Sequence, residues 1–216
     1  MARLTLTFDN GPVAGATGKI VDLLDARGHK ATFFVVGERF ADPAARREAE
    51  RAHRQGHWIG NHTMTHSGPL GERADPGGAV AEIEDAQRVI GELAHADRLF
   101  RPVGGGGILG RHLLSAAAAD FLVANKYTMV IWNNVPRDWV APKEQWVERA
   151  LAAMASTEWT LLVLHDHCLG EMMPTLADFL DRVERQGVEI VQEFPECCVP
   201  IRNGRAHGLA DFVTDG

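Results

Sequence analysis

Two histidines, His62 and His66, lie four residues apart in the segment His62-Thr63-Met64-Thr65-His66. On a helical turn, side chains at positions i and i+4 lie on the same side, about 5–6 Å apart, so two imidazoles with this spacing can bind one metal ion. A catalytic zinc site usually has three protein ligands and one position left for water. The pair therefore indicates a metal site, and two exposed loop histidines are the alternative for this pattern taken alone.

A carboxylate and an amide stand side by side at Asp9 and Asn10, directly before Gly11-Pro12. The Asp9 carboxylate can act as general base on a water molecule, and the side-chain oxygen of Asn10 can be offered to a metal ion. The sequence Asp-Asn-Gly-Pro is also typical of a tight turn, so a purely structural turn is the alternative here.

Four further residues have side chains suited to catalysis or substrate binding. Arg101 can hold a carboxylate in one orientation and lower its pKa. Asp138 can orient a histidine, and the neighbouring Trp139 can stack on a substrate ring. His165 follows the apolar run 161–164 and carries a proton that is available near neutral pH, which suits a general acid. The structural alternatives are an ion pair at the rim for Arg101, a helix start at Asp138 beside a packed Trp139, and a hydrogen-bonded core position for His165.

Two more patterns compete with this interpretation. His165 and His167 form an HxH pair whose side chains share one side of an extended segment, as in some metal pairs. The segment Gly105–Gly110 matches the GxGxxG pattern of dinucleotide sites. However, residues 101–103 separate these glycines from the preceding strand, and the next strand ends in Asn133 rather than an acidic residue. We therefore interpret the glycines as a flexible loop beside the site.

The overall charge limits the classes of partner. The 216 residues include 22 Lys and Arg against 29 Asp and Glu, a net charge of −7, which disfavours nucleic acid and anionic membranes as partners. No apolar run reaches the ~20 residues of a membrane span. The N-terminus lacks the pattern of a signal peptide, and the cysteines form no CxxC pattern. We therefore expect a cytoplasmic location.

Strand-like and helix-like segments alternate along the chain without a linker or an internal repeat. Regular alternation predicts parallel strands joined by helical crossovers, in a single domain over residues 1–216. Strands are predicted at 3–8, 30–36, 57–60, 99–101, 127–132, 159–164 and 188–191, and helices at 17–27, 43–55, 78–93, 111–125, 142–155 and 174–186.

The candidate residues all fall at the carboxyl ends of predicted strands. In a parallel barrel these ends meet on one face, where such folds build their active sites. In an open sheet, sites concentrate near a reversal of strand order, and five distant strands would not converge as readily. The α/β pattern therefore favours a distorted (β/α) barrel of about seven parallel strands.

Several segments in this order resemble motifs of the polysaccharide deacetylase family, also called the NodB homology or carbohydrate esterase 4 family. The resemblance covers nearly the whole chain. The segments are Thr7–Pro12 (TFDDGP in the family), Ala31–Val35 (ATFF), Gly56–Asn61 (GHxIGN), His62–His66 (H[ST]xxH), Arg101–Gly104 (RPPYG-like), Asp138-Trp139 (DW) and Leu161–His165 (LLxH). The resemblance implies a distorted barrel that hydrolyses an N- or O-acetyl group, usually on a sugar.

The resemblance also implies roles for the candidate residues. The expected cofactor is a divalent metal ion, with zinc first and cobalt or nickel as alternatives. The implied roles are Asp9 as general base, His165 as general acid, His62 and His66 as metal ligands, Arg101 as the tether of Asp9, Asp138 as the residue that orients His165, and Trp139, Val103 and Gly104 as substrate contacts.

The main departure from the family pattern is Asn10, which stands where a second Asp is usual as the third metal ligand. A neutral amide is expected to bind the ion more weakly than a carboxylate, because local charge dominates such sites. Val103-Gly104 also replaces the usual Pro-Tyr. These departures leave two alternatives open: a hydrolase of cyclic imides or ureides that needs little or no metal, and a binding pseudoenzyme.

The expected partner is a small-molecule or oligosaccharide substrate. The sequence leaves homo-oligomerisation open, and we expect the polar tail 199–216 to become ordered against a neighbouring subunit.

Overall fold

The computed structural model describes residues 1–215, in which strands alternate with helices as predicted. The strands are β1 (Arg3–Gly11), β2 (Thr32–Val35), β3 (Trp58–Asn61), β4 (Leu99–Phe100), β5 (Thr128–Met129), β6 (Trp159–His165), β7 (Glu189–Val191), β8 (Ile201–Arg202) and β9 (Arg205–Ala206). The helices are α1 (Thr17–Ala26), α2 (Pro43–Arg54), α3 (Pro76–Ile90), α4 (Ala116–Ala124), α5 (Trp146–Met154), α6 (Asp166–Leu169) and α7 (Met173–Arg185).

The sheet has the order β6-β1-β2-β3-β4-β5-β8-β9, and β7 pairs with the first half of β1. The strands β1 to β7 pair in parallel, while β8 and β9 are antiparallel additions. A parallel bridge between Asn134 and Leu162 brings the chain after β5 beside β6, so the curled sheet comes back towards its first strand. The predicted distorted barrel with about seven parallel strands is confirmed.

The side chains of β1 and β6 alternate between two apolar layers, one on each face of the sheet. Leu4, Leu6 and Phe8 pack in a cluster with residues of α1 and α7, whereas Leu161 and Val163 belong to a second cluster with residues of β4 and β5. Because successive side chains of a strand point to opposite faces, the odd-numbered residues of both strands share the barrel interior. This parity places Asp9 and His165 on the interior face at the carboxyl ends of their strands.

Several predicted boundaries differ from the structure. The strand β5 covers only Thr128–Met129 instead of 127–132, and α4 begins at Ala116 rather than at 111. The later start of α4 has a local cause, since the hydroxyl of Ser115 accepts a hydrogen bond from the backbone N–H of Ala118 and caps the helix.

The expectation about the tail is wrong for the residues that the structure describes. Ile201 is fully buried and pairs with Met129 of the same chain, and Val213 bridges to Leu114. The tail therefore packs against its own barrel. Gly216 lies outside the described residues, and the single domain over 1–216 stays a prediction.

Within residues 1–215, the helices are too short or too polar to cross a lipid bilayer.

Candidate active site

A cavity of about 400 Å³ opens at the carboxyl ends of the parallel strands. Two of the predicted site residues, Arg101 and Asp138, are fully buried behind its wall. The other eight line the cavity: Asp9, Asn10, His62, His66, Val103, Gly104, Trp139 and His165. The structure thus brings all ten predicted residues to one place, and their chemical roles stay predictions.

The carboxylate of Asp9 is bound to a buried arginine. Arg101 Nη1 donates hydrogen bonds to Asp9 Oδ1 at 2.8 Å and to Thr7 Oγ1 at 2.7 Å. Burial alone would raise the pKa of Asp9, but the charged and hydrogen-bonding groups around it, led by Arg101, together outweigh burial and hold this pKa below its usual range. Arg101 is itself fixed by the carbonyls of Val130 at 3.2 Å and Ile131 at 3.5 Å. Asp9 is therefore an ionised carboxylate held in one orientation.

His62 presents one ring nitrogen to the cavity. Its Nδ1–H donates to the carbonyl of Arg101 at 2.8 Å, which leaves Nε2 as the nitrogen with a free lone pair, 3.6 Å from Asp9 Oδ2. Burial lowers the pKa of His62, so the imidazole is neutral near neutral pH. A backbone carbonyl that fixes the tautomer of a histidine is the usual outer support of a metal ligand.

His66 reaches the same point from a loop rather than from the helical turn that the spacing suggested. The two histidine rings lie 4.9 Å apart between centroids, but Thr63 and His66 have φ angles of 69° and 54°. Thr63 Oγ1 accepts a hydrogen bond from the His66 N–H at 3.1 Å and stabilises this turn. Burial lowers the pKa of His66 to about 4.

The helix α3 holds this histidine loop in place, and the sequence analysis did not predict this contact. Glu82, only 6% exposed, accepts the Thr65 N–H on Oε2 at 2.8 Å and the Thr65 hydroxyl on Oε1 at 2.6 Å. Asn61 donates from Nδ2 to the Ile83 carbonyl at 2.8 Å and accepts the Thr63 N–H at 2.9 Å. The sequence feature that could have revealed this contact is Glu82, a glutamate on the otherwise apolar stripe of the helix.

Asn10 provides the test of whether a metal ion fits. Its φ of 69° places it in the left-handed region, and its Oδ1 is buried without a hydrogen-bond partner. A buried carbonyl oxygen without a partner calls for a ligand. Among residues 1–215 no group of three His, Cys, Asp or Glu side chains could hold a metal, whereas the amide of Asn10 lines the same cavity as His62 and His66. Two neutral imidazoles and this oxygen fit a divalent ion.

The opposite wall carries a histidine–carboxylate pair. His165 Nδ1–H donates to Asp138 Oδ1 at 2.7 Å, and the His165 backbone N–H donates to Asp138 Oδ2 at 2.8 Å. Burial opposes the imidazolium charge, but the hydrogen bond and charge of Asp138 outweigh it and raise the pKa of His165. Trp139 packs edge-on against the His165 ring at 4.9 Å. Asp138 thus orients His165 and raises its pKa, the two effects that a general acid requires.

In the alternative metal site formed by His165 and His167, one of the ring nitrogens is not available to a metal ion. The rings of His165 and His167 lie 5.9 Å apart, yet His165 Nδ1 is already bound to Asp138. Asp166, between them, is fully buried and accepts a hydrogen bond from the Thr17 hydroxyl. Burial raises the pKa of Asp166 to about 7.

The rest of the cavity wall is apolar and closely packed. Trp132, Val135 and Val163 line it together with the glycines 104–107. Trp132 Nε1 donates to the Gly107 carbonyl at 3.0 Å. A Cβ atom at Gly104 would lie 2.4 Å from the Trp132 ring, so glycine is required for this contact. The glycine-rich segment forms part of the cavity wall, and the sequence did not identify Trp132 or Val135 as site residues.

Comparisons with known proteins show the family to which the chain belongs. The family model described as "Polysaccharide deacetylase" matches residues 2–123. A chitooligosaccharide deacetylase of Rhizobium leguminosarum bv. phaseoli is 32% identical over 81% of this chain and 72% of its own length. A peptidoglycan-N-acetylglucosamine deacetylase of Bacillus cereus is 28% identical over 87% of this chain and 84% of its own. The crystal structure of the Bc1960 peptidoglycan N-acetylglucosamine deacetylase superimposes with a TM-score of 0.70 and 26% identity, covering 88% of this chain and 85% of that one. The chain therefore belongs to the polysaccharide deacetylase family of hydrolases.

Proposed function

We propose that the protein removes the acetyl group from an N-acetylated sugar, with Asp9 as general base and His165 as general acid. One observation carries the proposal: these two residues are direct register partners on adjacent parallel strands. The surroundings lower the pKa of Asp9 and raise the pKa of His165. Two titratable groups whose surroundings move their pKa values apart are the pattern of an acid–base pair. The relatives named above, which act on chitooligosaccharides and peptidoglycan, support the substrate class.

The chain's own residues account for the proton transfers. Asp9 accepts a proton from the attacking water, whose oxygen forms a bond to the acetyl carbon. His165 then donates its proton to the amide nitrogen as the carbon–nitrogen bond breaks, which releases acetate and a free amine. Asp138 keeps the ring of His165 oriented throughout. The wall formed by Trp139 and Val163 offers an apolar surface for the methyl group of the acetyl.

The metal ligands in this proposal are His62, His66 and Asn10. A divalent ion bound there supplies a Lewis acid that polarises the scissile carbonyl. Zinc is the first candidate, because imidazole nitrogens suit it, and cobalt or nickel are the alternatives. The ion is expected to bind weakly, because the amide of Asn10 brings no negative charge.

The neutral Asn10 also favours one second candidate, a hydrolase of cyclic imides or ureides with little or no need for metal. A binding pseudoenzyme is a weaker candidate, because the base, the acid and their partners are all in hydrogen-bond contact. A cytoplasmic location is likewise proposed.

The test is a substrate panel with chelator-treated protein. Acetate release from N-acetylglucosamine, its oligomers and N-acetylated peptidoglycan fragments would be measured before and after addition of zinc, cobalt or nickel, alongside ring opening of a cyclic imide and of a ureide. The proposal predicts metal-stimulated acetate release. Imide or ureide hydrolysis that survives the chelator, without acetate release, would favour the second candidate.

A further inference from the structure

Two adjacent cysteines, Cys197 and Cys198, lie in the segment between β7 and β8. They end a short 3-10 turn, Glu196–Cys198, and both are free thiols whose sulfur atoms lie 3.9 Å apart. Cys197 is exposed, whereas Cys198 is only 1% exposed. The third cysteine, Cys168, packs in the other apolar cluster of the barrel, so Cys197 and Cys198 have only each other as a partner within the chain.

The backbone of Cys198 is connected to the candidate active site through Arg101. The Cys198 carbonyl accepts a hydrogen bond from the Ile131 N–H at 2.8 Å. The Ile131 carbonyl accepts one from Arg101 Nη2 at 3.5 Å, and Arg101 Nη1 holds the carboxylate of Asp9 at 2.8 Å. A continuous chain of hydrogen bonds thus joins the cysteine pair to the proposed general base.

The two thiols differ in their access to solvent and in their ionisation. Burial raises the pKa of the Cys198 thiol, and the positive charge of Arg101 opposes this rise. Cys198 is therefore a protonated thiol shielded from molecules in solution, while the exposed Cys197 can be reached by a small reagent. An accessible cysteine next to a shielded one is the arrangement of an attacking thiol with its resolving thiol.

We propose that Cys197 and Cys198 form a reversible oxidation site that reacts with low-molecular-weight disulfides, and that its oxidation slows the reaction at Asp9. The Cys197 thiolate attacks one sulfur of the small disulfide, which forms a mixed disulfide and releases one thiolate. The Cys198 thiol then attacks the Cys197 sulfur, which forms the bond between the two cysteines and releases the second thiolate. The proton of each cysteine goes to a departing thiolate, so the pair is oxidised by two electrons and the small disulfide is reduced to two thiols.

Oxidation must change the shape of the backbone at this pair. Adjacent Cα atoms lie about 3.8 Å apart, whereas the Cα atoms joined by a disulfide are usually about 4.4–6.8 Å apart. The turn Glu196–Cys198 therefore rearranges when the bond forms, and the Cys198 carbonyl moves relative to the Ile131 N–H that it now accepts. The oxidation itself does not depend on the proposed function; only its effect on acetate release does.

The first experiment tests the chemistry by mass spectrometry of the full chain after treatment with glutathione disulfide. The wild type should become lighter by two hydrogen atoms, with the change in the peptide that contains Cys197 and Cys198, and dithiothreitol should reverse it. Cys197→Ser should not lose these hydrogens, whereas Cys168→Ala is the matched control and should react as the wild type does. A wild type that keeps a bound glutathione, or that links two chains, would overturn the site.

The second experiment tests the connection to the active site. Amide hydrogen exchange at Ile131 should become faster in the oxidised protein, because its hydrogen bond to Cys198 is lost. The kcat for acetate release should fall about tenfold and recover with dithiothreitol, since small misplacements distant from the chemistry reduce rates. Oxidised protein with the Ile131 exchange rate of the reduced protein, or with its kcat, would overturn the connection.

The two readouts separate this inference from the proposed function. Exchange at Ile131 and the mass of the chain report on the cysteine pair without any turnover. If no substrate releases acetate, the proposed function is refuted, and the exchange rate alone decides whether oxidation reaches Arg101.

Discussion

The two halves of the active site are built in different ways. In the proton-transfer half, which holds the proposed base and acid, each of these two side chains has a charged partner within hydrogen-bond distance, Asp9 with Arg101 at 2.8 Å and His165 with Asp138 at 2.7 Å. In the histidine half, the donors are neutral and Asn10 Oδ1 has no partner. The first half is preorganised by the chain itself, whereas in our proposal a metal ion completes the second half.

The supports of the two halves differ as well. The proton-transfer half lies on two long paired strands, with seven register pairs between β1 and β6. The two histidines of the other half lie on a loop in which Thr63 and His66 have positive φ angles, and side chains such as Glu82 hold this loop in place. We therefore expect substitutions in the first half to have the larger effects on both rate and stability.

The largest effect is expected for Asp9→Asn. The variant loses the general base, and kcat for acetate release should fall about 10³-fold. It also leaves Arg101 buried without a counter-charge, which should lower the free energy of unfolding by about 3 kcal/mol. Urea denaturation and steady-state kinetics measure both. Asp120→Asn, at an exposed position of α4, is the control, and activity within tenfold of the wild type in Asp9→Asn would refute the assigned base.

The next effect is expected for Asp138→Asn. His165 acts as an acid only while it is protonated, and Asp138 raises its pKa. Removing that charge should lower kcat about 10²-fold and move the alkaline limb of the pH–rate profile to lower pH. The profile of kcat against pH measures the shift. An alkaline limb that stays in place would show that His165 is not the acid.

A smaller effect, of opposite sign, is expected for Asn10→Asp in the histidine half. The change keeps the shape of the side chain and adds a negative charge beside the ion, so zinc affinity should rise about tenfold. Competition with a chromophoric chelator measures it. The control is Asn203→Asp, which makes the same charge change in the exposed turn between β8 and β9 and should keep the wild-type zinc affinity. Equal zinc affinity in wild type and Asn10→Asp would remove Asn10 from the coordination shell.

The smallest effect is expected for Glu82→Gln. The glutamine keeps one acceptor oxygen for Thr65 and loses the second, so the histidine loop should loosen and zinc affinity should fall about fivefold, the equivalent of one hydrogen bond of ~1 kcal/mol. The same chelator competition checks it. Glu84→Gln, exposed on the same helix, should bind zinc as the wild type does. If the two variants behave alike, α3 does not position the loop.

The positions of the residues in the proton-transfer half could be predicted from the sequence, because they follow from the periodicity of the strands. A residue such as Asp9, at the carboxyl end of a strand, is placed by a period of two and by the convergence of parallel strands. The family motifs then identified its partners. Arg101 and Asp138 were predicted together with the residues that they bind, and the structure shows both contacts.

The histidine half was less predictable because it depends on tertiary contacts. The i and i+4 spacing of His62 and His66 suggested a helical turn, but hydrogen bonds from α3 and two left-handed residues shape a loop instead. The role of Glu82 could not be read from its spacing, since its partner Thr65 lies 17 positions away. A small polar cavity lined by Arg39, Thr65 and His66 likewise exists only once two loops are packed together.

The most direct test of the central claim is a zinc titration of chelator-treated protein, followed by acetate release from tetra-N-acetylchitotetraose. We predict a rate that rises with added zinc and levels off at one equivalent per chain, and no such rise when both His62 and His66 are replaced by alanine. Full acetate release by metal-free protein, or by the double variant, would contradict the claim.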